Sequence, residues 1–490
     1  MNSALPLYRA DEVRALDRHA IETLGIPGLV LMQRAGAAVF DVLRRQWSDA
    51  ASITVLCGAG NNAGDGYVVG TLALAAGLPV SLYALTAPDR LKGDAQSAYR
   101  QFLAAGGVAT PGLPDRFAPD SVLVDALLGT GLDRPVQGVY AEAIAAVNAC
   151  GNPVLALDIP SGLCADSGMP LGDRLAVRAS CTVTFIALKQ GLYTGLAADY
   201  CGALHLADLA VPMDAATVIG PQATLLGEFP RLPKRARCVH KGHHGHVLVI
   251  GGDSGYSGAA RMAAEAAARC GAGLVSIATR AAHADVINLG RPELMVHGVE
   301  SADALQGLLE KAGVVVIGPG LGQSDWAKTL FAAVLASALP LVVDADALNL
   351  LAAAPRRRDN WVLTPHPGEA GRLLGTGSAA VQQNRYAALD ELRARYGGVV
   401  VLKGPGSLIG GAHGPAYVCT AGNPGMAGGG MGDVLAGIIA ALIAQGVAPL
   451  EAAAGGAVLH GTAADVAAER GERGLLAGDL FNPLRELINR

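Results

Sequence analysis

The chain has 490 residues, of which 51% are hydrophobic, 4% aromatic and 16% charged, and 65 are glycine. At roughly 150 residues per domain, this length predicts two to four domains with full hydrophobic cores, and it excludes a small disulfide-stapled protein or a disordered tail. The 37 basic and 42 acidic residues nearly cancel, so we expect no nucleic-acid partner.

Short apolar, β-branched runs recur along the chain, and each is followed by a glycine-rich or polar segment. Such runs predict buried strands that end in tight loops. They are residues 52–56, 121–125, 153–158, 246–250, 314–317, 341–344, 361–363 and 399–402. Ala-rich segments of helical length lie between them, among them 70–76, 140–150, 259–270, 326–337 and 381–396. This alternation predicts parallel α/β sheets with helices on both faces and ligands at the carboxyl ends of the strands.

A domain boundary is predicted within residues 211–240. This segment has four prolines, a basic patch and little sustained periodicity, which is typical of a connection between domains. We therefore place domain one at residues 1–215 and domain two at residues 224–490. Because glycine-rich strand ends occur in both halves, we expect a site in each.

The first candidate site combines the ends of three predicted strands. The segment GAGNNAGDG, residues 58–66, precedes an apolar helical pattern and suits an anionic ligand, although Gly, Asn and Asp also simply build turns. The other two strand ends supply Asp125, and Asp158 with Ser161. The three side chains of Asn62, Asp125 and Ser161 could hold a small hard cation. Asp158 would then remain for proton transfer, although either aspartate alone could be a helix cap.

The motifs GNNAGDG, VDALLGTGLDRPVQG and LDIPSG, in this order, resemble the NAD(P)H-hydrate epimerase domain over nearly all of residues 1–215. The resemblance implies a Rossmann-like three-layer αβα fold that interconverts the R and S forms of hydrated NADH or NADPH. It also implies a bound K⁺, with Asn62, Asp125 and Ser161 as its ligands. The chemistry needs acid and base groups at the carbon that bears the added hydroxyl, and we assign Asp158 as a catalytic residue.

The same resemblance implies which residues bind the hydrated dinucleotide in domain one. They are Asn61, Asn62, Ala63, Gly64, Asp65, Gly129, Thr130, Gly131, Leu132, Asp133, Arg134, Pro135 and Asp158. Ala63 stands where the family often has Gly. The added methyl group matters only if this residue needs a positive φ.

The second candidate site centres on residues 423–446, NPGMAGGGMGDVLAGIIAALIAQG. Backbone amides of residues 429–432 at a helix N-terminus would stabilise a transferring phosphoryl group, and Asp433 would take a proton from an attacking hydroxyl. The alternative for Asp433 is a simple first-turn cap. No GK[ST] follows the glycines, so this is not a Walker loop.

Two further loops of the second half are candidates for ligand contacts. Lys403 opens the segment KGPGS, which suits a phosphate or is an ordinary strand-end turn. His366 lies between two prolines in TPHPGE, residues 364–369, and is a credible ligand contact only beside the other loops. The spacing of KGHHGH, residues 241–246, argues against a metal site, so we expect a buried or phosphate-facing turn there.

Seven motifs in family order resemble the ADP-dependent (S)-NAD(P)H-hydrate dehydratase, which has a ribokinase-like α/β fold. They are HKGHHGHVLVIGG, GYSGAA, GPGLG, DADALN, LTPHPGE, VVLKGPGS and NPGMAGGGMGDVLAG. Both domains on one chain resemble the bifunctional NAD(P)H-hydrate repair enzymes of bacteria. The resemblance implies ADP as phosphoryl donor, with Mg²⁺. The implied nucleotide contacts are Lys403, Gly404, Pro405, Gly406, Ser407 and Gly432, and the implied contacts to the hydrated dinucleotide are Ala259, Gly322, His366 and the catalytic Asp433.

One position departs from this family pattern. Gly428 stands where Thr or Ser is frequent, so we expect no hydroxyl contact there. On this hypothesis Asp433 activates the substrate hydroxyl for phosphorylation, and phosphate, a better leaving group than hydroxide, departs to restore the nicotinamide double bond. Two alternatives stay open, namely a vitamin-alcohol kinase in domain two and a non-catalytic dinucleotide sensor or protein-binding module in domain one.

The remaining features concern compartment and partners. Asp11 and Glu12 interrupt the N-terminus, and no apolar run precedes a cleavage site. The longest uncharged apolar stretch, Val434–Ala444, is far shorter than the roughly 18 residues that span a bilayer. Eight cysteines without a CxxC pair indicate core thiols in a reducing compartment. We therefore expect a cytoplasmic protein with no membrane contact and no structural zinc. We also expect a homo-oligomer, whose small-molecule ligands are hydrated NADH (NADHX), hydrated NADPH (NADPHX) and ADP.

Overall fold

The structure is a computed structural model that describes residues 4–172, 175–212, 219–229 and 232–490. The chain divides into two compact units, one of Pro6–Ala223 and the other essentially of Thr224–Arg490. Within the predicted boundary segment 211–240, residues 213–218 and 230–231 lie outside the described residues. The domain limits given above therefore stay predictions.

The first unit alternates helices and strands. Its helices are α1 (Ala10–Glu22), α2 (Gly28–Gln46), α3 (Asn61–Ala75), α4 (Gly93–Ala104) and α5 (Val139–Ala149). Its strands are β1 (Leu5–Tyr8), β2 (Ser52–Cys57), β3 (Val80–Ala84), β4 (Ala109–Pro111), β5 (Ser121–Ala126), β6 (Val154–Leu157), β7 (Cys181–Phe185), β8 (Leu188–Lys189) and β9 (Ala203–Ala207). A parallel sheet runs in the order β4-β3-β2-β5-β6-β7-β9.

This sheet is covered on both faces. Val55 of β2 and Val124 of β5 pack in one core with α2, α3 and α4. Their chain neighbours Leu56 and Leu123 pack in a second core with Ile144 of α5. Successive side chains of a strand point to opposite faces, so the two cores make the three-layer αβα arrangement. Because the chain proceeds from β2 to one side and from β5 to the other, a crevice opens at their carboxyl ends.

The second unit is built in the same way. Its helices are α6 (Ser257–Arg269), α7 (Ala302–Leu309), α8 (Asp325–Ala336), α9 (Ala345–Ala353), α10 (Pro367–Leu374), α11 (Ser378–Gln383), α12 (Arg385–Tyr396), α13 (Met431–Ala444), α14 (Pro449–Ala467) and α15 (Phe481–Leu487). Its strands are β10 (Ala223–Leu225), β11 (His246–Ile250), β12 (Leu274–Thr279), β13 (Met295–Gly298), β14 (Val314–Ile317), β15 (Leu341–Val343), β16 (Trp361–Leu363), β17 (Val399–Leu402), β18 (Ser407–Gly410) and β19 (Ala416–Cys419).

The strands of this unit lie in the order β13-β12-β11-β14-β15-β16-β17-β18-β19-β10. The pairs from β13 to β17 are parallel, as predicted. Strand β18 pairs antiparallel with both β17 and β19, so the prediction of parallel strands is wrong for these two pairs. The reason is the short KGPGS connection, because a connection of a few residues can join neighbouring strands only in antiparallel orientation.

Two predicted helices also differ in their limits. The predicted helix 381–396 is two helices, because Asn384 interrupts it and its side chain accepts a hydrogen bond from the Ala387 amide. Helix α3 starts at Asn61, so GNNAGDG forms helical turns although Asn, Asp and Gly are poor helix formers. Packing overrides propensity here, since a Cβ atom at Gly66 would lie 2.6 Å from the Ala126 side chain.

Two findings bear on the expected compartment. Within the described ranges, no helix combines the length and the apolar character that a bilayer span requires. All eight cysteines are unpaired thiols, and Cys57, Cys181, Cys201, Cys270 and Cys419 are buried.

Candidate active sites

A cavity of about 940 Å³ lies at the carboxyl ends of the strands of the first unit. Asn61, Asn62 and Asp65 of α3 line it, together with the loop of residues 129–135 and with Asp158. Ala63 and Gly64 do not line it, because they face the protein interior. Ala63 lies in α3 without a positive φ, so its methyl group carries no backbone penalty there.

Asp158 follows β6 and has a left-handed backbone, with φ 63°. Such a conformation is strained for a residue other than glycine and is often found at functional sites. Its Oδ1 accepts hydrogen bonds from Lys189 Nζ at 2.5 Å, from the Phe185 amide at 3.2 Å and from Thr184 Oγ1 at 3.4 Å. Lys189 is only 1% exposed. Asp158 is therefore held in place by donors on β7 and β8.

Four more carboxyl groups line the same cavity, namely Asp17 of α1, Asp65 of α3, Asp94 of α4 and Asp133. Burial, together with the charges of Asp158 and Asp17, raises the pKa of Asp65 well above its usual range. Burial and the charge of Asp158 also raise the pKa of Asp17, although Lys189 opposes this effect. Five aspartates and the buried Lys189 line the cavity. Titratable groups with shifted pKa values in a cavity are typical of functional sites.

A network of hydrogen bonds connects the three predicted cation ligands, Asn62, Asp125 and Ser161. Ser161 donates from Oγ to Asp125 Oδ1 at 2.6 Å and from its amide to Asp125 Oδ2 at 2.8 Å. The Leu128 amide donates to Ser161 Oγ, and Asn62 Nδ2 donates to the Leu128 carbonyl oxygen. Burial raises the pKa of Asp125 to about 6, although the Ser161 and Leu127 donors oppose the shift. Asn62 Oδ1 is buried and has no hydrogen-bond partner.

In the second unit, Asp433 lies in the first turn of α13. This helix follows the glycine run 428–430, and Gly430 has a φ of 90°. Burial and the neighbouring carboxylate Asp344 raise the pKa of Asp433 to about 8, while Lys403 opposes the shift. A carboxyl group with a pKa near neutral pH can exchange a proton with a substrate hydroxyl.

Lys403 lies at the centre of the charged groups around Asp433. Its Nζ donates to Asp344 Oδ1 at 2.9 Å and lies 3.9 Å from Glu369 Oε2. Burial disfavours the ammonium charge, but Asp344 and Glu369 outweigh burial and raise the pKa of Lys403. A Cβ atom at Gly432 would lie 3.1 Å from Lys403 Nζ, so the predicted nucleotide contacts Lys403 and Gly432 are neighbours.

The fully buried side chain of Arg385 stabilises the loop that follows Lys403. The guanidinium group donates to the carbonyl oxygens of Leu402, Lys403 and Gly406 at 3.1–3.3 Å. Gly404 and Gly406 have φ values of 142° and 60°, which favour glycine. These contacts fix the shape of the predicted nucleotide loop.

The remaining predicted residues lie on loops at the strand ends. The Gly322 amide donates to Asp346 Oδ2 at 2.9 Å, and Asp346 is one of the charges that act on Asp433. His366 caps α10 by accepting from the Gly368 amide at 2.9 Å, so its imidazole has a structural role as well. Ala259 does not contact this charged cluster directly; its Cβ packs beside Gly320.

The turn at KGHHGH is not buried, and a phosphate-facing turn there stays a prediction. Residues 240–243 are exposed rather than buried, and the rings of His240 and His243 stack with centroids 3.8 Å apart. In the described parts of the chain, no three His, Cys, Asp or Glu side chains lie close enough together to hold a metal ion.

Sequence reasoning missed several residues of both sites. They are Asp17, Lys189, Asp344, Asp346, Glu369 and Arg385. Asp344, Asp346 and Glu369 stand within the quoted motifs DADALN and LTPHPGE, so their position at strand ends was a usable signal. Lys189 and Arg385 stand outside any of the quoted motifs, and only the tertiary structure reveals their contacts.

The fold and the sites define an α/β enzyme with a separate acid–base site in each unit. The family model described as "NAD(P)H-hydrate dehydratase" matches residues 247–485, and the one described as "YjeF-related protein N-terminus" matches residues 28–191. The bifunctional NAD(P)H-hydrate repair enzyme Nnr of Coxiella burnetii is 52% identical over 487 residues, which cover 99% of both chains. The enzyme of the same name from Escherichia coli is 46% identical over 493 residues, 99% of this chain and 94% of that one.

A solved structure is also similar to the second unit. It is the ADP/ATP-dependent NAD(P)H-hydrate dehydratase of Bacillus subtilis, co-crystallised with ATP/Mg²⁺, at 30% identity over 52% of this chain and 93% of that chain, with a TM-score of 0.48.

The chain belongs to the family of bifunctional NAD(P)H-hydrate repair enzymes. This assignment confirms the fold class predicted from the sequence, a Rossmann-like domain joined to a ribokinase-like domain. It favours hydrate repair over both alternatives, the vitamin-alcohol kinase and the non-catalytic sensor.

Proposed function

We propose that this chain returns hydrated NADH and NADPH to their functional forms in two reactions. The first unit is an isomerase that interconverts the R and S hydrates. The second unit is a lyase that dehydrates the S hydrate with ADP as phosphoryl donor. The observation that carries the proposal is that, in a chain of this family, partly or fully buried carboxyl groups lie in the first two turns of α3 and α13, next to the strand ends of each unit.

In the first unit, the proposed substrate site is the 940 Å³ cavity. Its volume is in the range of pockets that bury most of a small ligand. Asp158 is the proposed catalytic residue, because its Oδ1 is fixed by Lys189 and it lines the cavity. The residues proposed to bind the dinucleotide are Asn61, Asn62, Asp65 and the loop 129–135, whereas the predicted contacts Ala63 and Gly64 face away from the cavity.

We also propose that Asn62, Asp125 and Ser161 hold a K⁺ ion. The donors fit, because they are a neutral amide oxygen, a carboxylate and a hydroxyl, and hard cations prefer oxygen ligands. The buried Asn62 Oδ1 lacks a hydrogen-bond partner, and such an atom favours an unseen ligand. A bound cation would offset the buried charge of Asp125 and order the Leu128 backbone at the cavity wall.

In the second unit, Asp433 is the proposed proton acceptor from the substrate hydroxyl. As this hydroxyl loses its proton, its oxygen attacks the terminal phosphorus of the nucleotide. Amides of residues 430–432 would stabilise the transferring group. The proposed nucleotide contacts are Lys403 to Ser407 and Gly432, and Ala259, Gly322 and His366 are the proposed contacts to the hydrate.

Mg²⁺ fits beside this loop. Mg²⁺ is usually held by one or two carboxylates together with phosphate oxygens and water. Asp344 and Glu369 are carboxyl groups next to Lys403, and burial together with the charge of Asp344 raises the pKa of Glu369. We propose that these two residues hold the ion, which would neutralise charge on the phosphates.

The test supplies the purified chain with a mixture of R and S hydrates, and with ADP or ATP. The return of absorbance of the reduced nicotinamide should reach completion. Asp433→Asn should abolish this recovery while the R to S ratio still changes. Recovery that stops at the S fraction would refute the epimerase role, and full dehydration by Asp433→Asn would refute the role of Asp433.

Three finer proposals have their own tests. If K⁺ binds as proposed, epimerisation should depend on K⁺, and Asp125→Asn should remove that dependence. Sedimentation of the purified chain tests the predicted homo-oligomer. Fractionation of the producing cells tests the predicted cytoplasmic location.

A further inference from the structure

The cavity of the first unit contains a carboxyl group to which no chemical role has been assigned. Asp65 in the second turn of α3 is 8% exposed and lines the cavity together with Asp158. The charged groups that act on it are the carboxyl groups of Asp158 and Asp17. A buried carboxyl group surrounded by other carboxyl groups favours its protonated form, and the pKa of Asp65 is raised accordingly.

Asp158 has the opposite environment. Lys189, Thr184 and the Phe185 amide all donate to its Oδ1, and an oxygen that receives three donors acts as an acceptor. The two aspartates therefore differ in what they can do in one cavity. Asp65 can give a proton, and Asp158 can take one. A buried carboxyl group and a second carboxyl group that receives three donors can act together in one cavity as proton donor and proton acceptor.

Resting on the proposed epimerase function, we propose that Asp65 is the catalytic proton donor and Asp158 the catalytic proton acceptor of hydrate epimerisation. The two side chains reach the cavity from different elements, Asp65 from α3 and Asp158 from the end of β6. The substrate carbon that bears the hydroxyl is bonded to the ring nitrogen, because water adds to an enamine at the carbon next to nitrogen.

The reaction then proceeds in two balanced steps. Asp65 transfers its proton to the hydroxyl oxygen, the C–O bond breaks, and water leaves while the nitrogen lone pair forms a C=N⁺ bond. A water molecule adds to the opposite face of the planar carbon and forms the new C–O bond, and Asp158 accepts the released proton. Asp65 ends ionised and Asp158 protonated, and exchange with solvent resets both groups. The carbon is neither oxidised nor reduced.

This scheme predicts an isotope signature. In H₂¹⁸O without ADP, each inversion should place one ¹⁸O in the hydroxyl group of the product, because the oxygen that returns comes from water. Opening of the ring at the C–N bond and closure on the other face would instead keep the original oxygen. Mass spectrometry of the separated R and S hydrates at early times, corrected for the reaction without enzyme, distinguishes the two.

The variants are made in the full-length chain. Asp65→Asn cannot donate a proton as an acid, so epimerisation should slow by roughly 10²–10⁴-fold, the usual contribution of such a group. Asp49→Asn is the matched control, because Asp49 is exposed and lies outside the cavity, and it should keep the wild-type rate. The loss should lie in kcat for epimerisation, while the KM for the R hydrate stays at the wild-type value, which checks that the cavity still binds its substrate.

The outcomes separate the two proposals. A wild-type chain that leaves the R to S ratio unchanged refutes the epimerase function itself. A wild-type chain that epimerises without ¹⁸O uptake, or an Asp65→Asn chain with the full rate, overturns only the assignment of Asp65. Slow epimerisation by an Asp65→Asn chain that comes from a raised KM at an unchanged kcat also overturns it, since the loss is then one of binding.

Discussion

Gly437, in the middle of α13, allows close packing of this helix on α6. A Cβ atom at this position would lie 2.0 Å from the Ala263 carbonyl oxygen and 3.0 Å from the Ala266 side chain. Since close carbon–oxygen contacts lie at about 3.3–3.6 Å, Gly437→Ala must push the helices apart by roughly 1 Å. Overpacking costs about 1–3 kcal/mol, and the better helix propensity of Ala returns about 1 kcal/mol. Because the clash is with backbone, we expect an overpacking cost at the upper end, about 3 kcal/mol, and therefore a net loss of about 2 kcal/mol after the gain in helix propensity.

The displacement should also reduce dehydration, because α13 carries Asp433 and the phosphate-binding amides. A shift of about 1 Å at a catalytic group can cost on the order of 100-fold in rate. The assays are urea unfolding and the recovery of reduced nicotinamide from the S hydrate. Gly307→Ala in α7 is the matched control, because open space surrounds Gly307, and it should be neutral or stabilising. A Gly437→Ala chain with wild-type stability and dehydration rate would refute the reasoning.

The remaining predictions concern charge. Because burial raises the pKa of Asp433 to about 8 and a base must be ionised, kcat/KM for dehydration should rise about tenfold per pH unit below pH 8 and level off above it; a flat profile would contradict this. Lys189→Met removes the 2.5 Å partner of Asp158, so epimerisation should slow at least tenfold while dehydration of the S hydrate, followed by absorbance, is unchanged. Arg385→Gln removes charged hydrogen bonds to the nucleotide loop, each worth about 1.5–3 kcal/mol. It should raise the KM for ADP more than the KM for the hydrate, and equal changes in both would argue against the positioning role.

Local patterns in the sequence predicted a large part of the fold. The run HVLVI is β11 and the run VVVI is β14, with the predicted limits, because a strand buried on both faces needs a continuous apolar run. The start of α3 was not predictable in this way. Asn61 to Gly66 have low helix propensity, and the helix forms there because Gly64 and Gly66 fit against Met32 and Ala126.

The sequence by itself determined the repeated α/β units, the glycine-rich strand ends and the residue types of both candidate sites, because these depend on periodicity and on short motifs. The tertiary structure alone decided which charges meet. Lys189 lies 31 residues from Asp158, and Lys403 lies 59 residues from Asp344. The order and register of the strands bring such distant residues together at the strand ends.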